Sequence, residues 1–304
     1  MRADGKKLKN IDPMYTVAAF IMSKRSDSMN MIELNLPLEP MQKYINAKRK
    51  ENVSISHLGL ILAAYTRTIA EFPALNRFVV NKRIYARNEL PVGMVVLQEG
   101  IKGHGVMSKI YFDQADDIFT VQNKIDTYIN ESRDTSQSNK TDKIIQSLLS
   151  VPGILPVGVG LFKFMDRYGL LPKSIIEASP FHISMVITNL ASIRTNHIYH
   201  HVYDFGTTSI SMALGVPKEV PKRVGGEIIH EKCLPIGMVM DERIASGSYF
   251  ALAFRRFSHY LKYPELLELP PEKIEREVEP KPSLAEKKQM KLAKKAAKKA
   301  KKSA

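Results

Sequence analysis

Cysteine is almost missing from this chain of 304 residues: Cys233 stands alone. A single thiol excludes an internal disulfide framework and any Cys-rich zinc or iron–sulfur site. It suits a reducing compartment, so a cytoplasmic location is expected. Long apolar runs are missing too: none reaches the roughly 18 to 20 residues that a membrane-spanning helix needs. The opening MRADGKKLKN is polar, so no secretory leader is expected. Acidic residues are absent from 287–302, where nine lysines fall. Of the formal net charge of +14, that leaves +5 on the rest of the chain, which is only mildly basic. Glycine (16) and proline (17) occur at ordinary frequency and 44% of residues are hydrophobic, which excludes collagen-like and wholly disordered chains.

Residues 12–268 alternate between helical and extended patterns and are expected to form one domain. Tyr15–Met22 and Met29–Pro37 read as strands. Glu39–Lys50 predicts a helix, with Pro40 early and Met41, Tyr44, Ile45 and Lys48 on one face. Ser56 caps a second helix carrying Leu58, Ile61, Leu62, Tyr65 and Ile69. Phe78–Arg87 reads as a hairpin and Leu90–Gln98 as an apolar strand. Asp113 is placed as the cap of a helix with Ile118, Val121, Ile125 and Tyr128 on its stripe. Phe181–Asn189, Thr207–Gly215 and Ile236–Asp241 are strand-like, and Ser246 caps a last helix carrying Phe250, Phe254 and Phe257. The mixture indicates an α/β class with α+β character and a mixed sheet. Two segments differ. Residues 142–178 form an apolar insert in which Leu148–Phe162 is punctuated by Pro152, Gly153, Pro156, Gly158 and Gly160, so a long helix is not expected. It reads as a buried connector, or else as an apolar lid or membrane-touching loop. Residues 271–304 read as a Lys-rich disordered tail, either solubilising or making weak, salt-sensitive contact with a polyanion or an anionic membrane.

His197, His200 and His201 cluster in NHIYHHVYDFG, with Asp204 close behind. A general base oriented by a carboxylate fits these residue types, as does a structural role. A metal site is disfavoured, because neighbours in an extended segment point to opposite faces. Cys233, in an alternating apolar segment, reads as a buried inert thiol.

Five ordered segments carry a more specific signal: FPALN at 72–76, LPVGMVV at 90–96, FHIS at 181–184 with Thr188-Asn189-Leu190, SMALG at 211–215, and MDERIASG at 240–247. In order and spacing they resemble the catalytic domain of dihydrolipoyl acyltransferases from 2-oxoacid dehydrogenase complexes, whose fold is that of chloramphenicol acetyltransferase. The insert and the HHVYDFG loop suggest a free-standing, divergent bacterial branch, and no lipoyl attachment domain is expected. The resemblance implies a two-layer domain, assembly as a homotrimer, and a coenzyme A thioester bound in a channel between copies, with no metal. It implies that a His in an Asp-His-Arg-x-x-Asp-Gly motif deprotonates a thiol or hydroxyl acceptor while a Ser or Thr hydroxyl stabilises the oxyanion.

By position, the oxyanion donor is Thr188. The motif His is replaced by Glu242 and the motif Asp by Ser246, whereas Arg243 and Gly247 are retained. A carboxylate base faces a thiol across about 4 pK units, or about 5.7 kcal/mol uphill, against about 2.7 kcal/mol for histidine. Three functional readings therefore stand. One is an acyltransferase whose base has moved, with His200 or His201 supported by Asp204. Another is an inactive relative that keeps the trimer as a binding protein. The third is a surface-associated scaffold that its apolar insert and lysine tail bring to a membrane or nucleic acid.

Overall fold

The computed structural model describes residues 2–97, 105–133 and 154–278. The tail at 287–302 lies outside them.

Alternation builds the sheet. β2 (Met29–Pro37) pairs antiparallel along its whole length with β10 (Glu227–Asp241). β10 pairs antiparallel with β8 (Ile210–Leu214), which runs parallel to β7 (Met185–Asn189). β7 runs parallel to β5 (Leu90–Leu97), and β5 pairs antiparallel with β6 (Gly105–Phe112) at the edge. The order is thus β2-β10-β8-β7-β5-β6, a mixed sheet. The solvent end of β10 also pairs with β9 (Lys218–Val224), forming a hairpin turned by Gly225 and Gly226, both at positive φ. A smaller sheet holds β1 (Gly5–Lys7), β4 (Arg83–Arg87) and β3 (Arg77–Val80).

One face of the large sheet is apolar. Ile187, Met212, Leu214, Ile236 and Met238 are buried there against the helices. α3 (His57–Glu71) is buried from Leu58 to Ala70, with Ser56 as its cap. α2 (Leu38–Lys50), α4 (Ile118–Arg133) and α7 (Gly247–Lys262) surround it and complete the second layer. The opposite sheet face has glycines at Gly215 and Gly237, and residues 196–198 lie against it. A Cβ on Gly215 or Gly237 would stand 2.3 Å from the backbone of His197 or Ile198.

Several expectations need correction. Tyr15–Met22 is not a strand: α1 spans Pro13–Ile21, because Asp12 accepts a hydrogen bond from the Met14 amide and Pro13 sits at the first helical position. Asp113 caps only a turn, through Ala115. The helix starts at Ile118, where the Asp117 carboxylate accepts from the Thr120 amide. Within the apolar insert, residues 142–153 lie outside the described residues. Residues 154–168 are not a broken connector but a helix, α5 (Ile154–Tyr168), followed by α6 (Lys173–Ala178). Pro156 falls in the first turn of α5, where no amide donor is required, and each glycine costs only about 1 kcal/mol. Much of α5 is exposed rather than buried.

Candidate active site

The turn from β10 into α7 is shaped by a buried ion cluster. Arg243 clasps Asp241 with two hydrogen bonds, Nε to Oδ1 at 2.8 Å and Nη2 to Oδ2 at 2.7 Å. Ser28 Oγ donates to Asp241 Oδ1 at 3.0 Å, and Arg25 Nε lies 3.4 Å from Oδ2. Arg243 also donates to the Met22 carbonyl, tying the end of α1 to the turn. With Asp241 and Arg243 directed inward, Glu242 faces outward. Its Oε2 accepts a 2.7 Å hydrogen bond from Asn30 Nδ2. Ser246 caps α7: its hydroxyl accepts from the Tyr249 amide and contacts Ser248, and its own amide donates to the Tyr15 hydroxyl.

Thr188 lies elsewhere on the sheet. It is half-buried on β7, opposite Ala213 of β8, which in turn faces Gly237 of β10. Asp241 is four residues further along β10, so Thr188 and the Glu242 turn are separated by roughly 13 Å along the strands and roughly 10 Å across them. Within one chain the structure does not bring them together.

The histidines form a ring stack. His200 and His201 lie 5.4 Å apart with planes 13° from parallel, and Tyr203 packs edge-on against both. His200 Nδ1 contacts the His201 carbonyl at 3.0 Å. Asp204 supports neither imidazole. Its Oδ1 accepts from the Arg25 and Ser26 amides and its Oδ2 from the Ser26 hydroxyl. Burial pushes this carboxyl up, but those bonds from Ser26 and Arg25 outweigh it and hold the group below its ordinary range. Asp204 therefore fixes the turn before β2, and the expected His–Asp pairing is not formed. Among the described residues, no group of His, Cys, Asp and Glu could hold a metal ion. Cys233 is a free, buried thiol that burial pushes up.

No protein-family model matches the chain, and no curated protein does. Solved structures do. The probable dihydrolipoamide acetyltransferase of Listeria monocytogenes superposes with a TM-score of 0.54 at 12% identity, over 85% of this chain and 95% of that one. The dihydrolipoamide acetyltransferase of Azotobacter vinelandii, in which the catalytic roles of a serine, a histidine and an asparagine were investigated, gives 0.55 at 10% identity over 86% and 95%. A chloramphenicol acetyltransferase gives 0.53 at 10% identity over 85% and 100%. The chain has the chloramphenicol acetyltransferase-like fold.

Within this fold, two features escaped the reading of the sequence. The first is the Asp241–Arg243–Arg25 cluster, whose signal was an Asp-x-Arg spacing closing an apolar strand. The second is a buried network around His182. Its Nε2 lies 3.2 Å from Asp166 Oδ1 and its Nδ1 lies 2.7 Å from Ser179 Oγ. Arg2 joins Asp166 to Asp4, reaching Asp166 Oδ1 at 2.7 Å. This network anchors the C-terminal turn of α5 to β1.

Proposed function

We propose that the protein handles acyl-coenzyme A thioesters in a cleft between copies of a cytoplasmic homotrimer, as an altered acyltransferase built from residues 12–268. The donor is a coenzyme A thioester and the acceptor a thiol or hydroxyl compound. The single observation that supports the reading is the likeness of this fold to acetyltransferase cores; Thr188 on β7 and Glu242 at the β10–α7 turn lie too far apart in one chain to share a site, so a site using both would need two copies. Thr188 then offers its hydroxyl to the developing oxyanion. Glu242 receives the acceptor's proton, the acyl carbon exchanges its bond to the coenzyme A sulfur for one to the acceptor, and the proton passes from Glu242 to the departing sulfur. Ser246 and Arg243 hold the turn rather than reacting.

One observation favours a second reading, a trimeric protein that binds thioesters without turning them over. The Asn30 amide already donates to Glu242 Oε2, so one of the two oxygens that could take up a proton is engaged.

Purified protein given acetyl-coenzyme A and a dithiol acceptor tests the two together. Formation of the S-acetylated dithiol with free coenzyme A, resolved by chromatography, that is lost on Glu242→Gln and reduced about 100-fold on Thr188→Val supports transfer. Saturable thioester binding without formation of that product supports the binding protein. Loss on His201→Ala alone restores the moved-base reading. A monomer in sedimentation that binds no thioester overturns both proposals.

A further inference from the structure

α5 exposes an apolar surface that a water-facing helix does not need. Val157 is 70% exposed, Leu161 55% and Phe164 56%. Ile154–Phe162 contains no charged residue. At its other end the helix is fixed, because Asp166 is held by Arg2 and His182. The uncharged helix α1 comes to the same edge of the molecule. Its Phe20, 58% exposed, packs beneath Lys82 Nζ, which lies 4.9 Å from the ring centroid. The neighbouring Asn81 accepts a hydrogen bond from Arg167 of α5. The two helices therefore flank the tight turn between β3 and β4.

Charge accompanies this apolar surface. A hollow of about 380 Å³ beside the turn is lined by six cationic side chains and two carboxylates. Arg25 and Arg243 are engaged with Asp241, which leaves Lys24, Lys82, Lys163 and Arg167 exposed. Both carboxylates are already bonded: Asp166 to Arg2, and Asp204 to Ser26. Apolar side chains beside uncompensated cations match an interface whose outer layer is anionic and whose interior is hydrocarbon. A nucleic acid offers no partner for Val157 and Leu161. A second copy joined by a two-fold axis through the turn would set these cations against their own kind, and a three-fold neighbour is distinguished by the sedimentation arm of the test below. Fifteen helical residues span about 22 Å, less than the roughly 30 Å hydrocarbon core, so α5 is suited to lie in a leaflet rather than to cross it.

We propose that α5, the end of α1 and the β3–β4 turn form a docking face for an anionic phospholipid bilayer. Acyl chains receive Val157, Leu161 and Phe164, and headgroup phosphates are neutralised by Lys24, Lys82, Lys163 and Arg167. The face is distinct from Thr188 and Glu242 and does not depend on their chemistry. It is distinct, too, from the lysines of 287–302, which every variant below retains.

Full-length protein is sedimented with vesicles of phosphatidylcholine alone and of phosphatidylcholine mixed with phosphatidylglycerol. Binding is expected to the mixed vesicles only, and to weaken with salt. Lys82→Ala with Lys163→Ala is expected to lower the partition coefficient about fivefold per lysine removed. Val157→Ser with Leu161→Ser is expected to lower it at least tenfold at every salt concentration. All four positions are exposed, and unchanged thermal unfolding confirms that each variant folds. Parent protein that stays in the supernatant overturns the proposal. So do variants that bind as the parent does, since the lysine tail would then account for the binding. A Val157/Leu161 variant that loses a subunit contact in sedimentation velocity but keeps its vesicle binding assigns the face to another copy and also overturns the proposal.

Discussion

Asp241 and Arg243, two residues apart in the chain, clasp each other through both carboxylate oxygens where almost no solvent reaches. The pair folds the β10–α7 turn back on itself and so turns Glu242 outward. A buried carboxylate between two arginines is costly to assemble but more costly to break. Asp241→Asn keeps the shape and leaves Arg25 and Arg243 uncompensated. A loss of about 3 kcal/mol in urea unfolding is expected. Wild-type stability in that variant would show that solvent reaches the cluster.

The anchor of α5 should be sensitive to acid. Burial pushes the Asp166 carboxyl up, but His182 and Arg2 outweigh burial and hold it below its ordinary range. Asp4, likewise buried, is held low by Arg2. An acid depressed in the folded state contributes stability that is complete above the unfolded value of about 3.9 and is lost as the pH falls through the folded value. Stability should therefore hold from pH 7 down to about pH 4 and then fall. Asp166→Asn should cost about 3 kcal/mol at pH 7 and flatten the acid limb. Urea midpoints for the two proteins between pH 7 and pH 3 decide the matter, and parallel curves would contradict it.

Ser246, matched to a motif Asp by resemblance alone, has a hydroxyl that accepts from the Tyr249 amide. Ser246→Ala is expected to cost about 1 kcal/mol, the worth of a helix cap, and to leave thioester binding unchanged. Calorimetry together with a binding isotherm separates the two effects. A binding defect without a stability defect would return Ser246 to the site.

Gly237 is required by a close backbone approach, since a Cβ there would stand 2.3 Å from the Ile198 carbonyl oxygen. The obstacle is backbone, so it cannot rotate aside. Gly237→Ala should lower stability by about 1 to 3 kcal/mol and expose residues 195–204 to limited proteolysis. An unchanged digestion pattern would mean that this segment is not seated on the sheet.

Periodicity made much of the fold legible. Met29–Pro37 and the stripes of α2, α3 and α7 are decided by their own alternation or 3.6-residue spacing. α1 was misread because PMYTVAAFI holds no charge to mark a polar face, and the capping Asp12 with Pro13 was the stronger signal. β6 was missed, although Ser108, Ile110 and Phe112 alternate with Met107, Lys109 and Tyr111. The site was less legible than the fold. Thr188 and Glu242 rest on resemblance alone, and Asp204 was paired with the nearest histidines in the sequence. Its partners, Arg25 and Ser26, are 179 and 178 residues away, a distance that no local pattern encodes.

β10 is one uninterrupted strand from the solvent-exposed hairpin at Gly225–Gly226 to Asp241. A protease nick at that glycine pair would sever the chain in two, yet the C-terminal fragment would remain stitched to β2 and β8 along most of the strand. The hairpin tip is thus a place to open the polypeptide, or to join new termini, while the turn bearing Glu242 stays clamped at the far end.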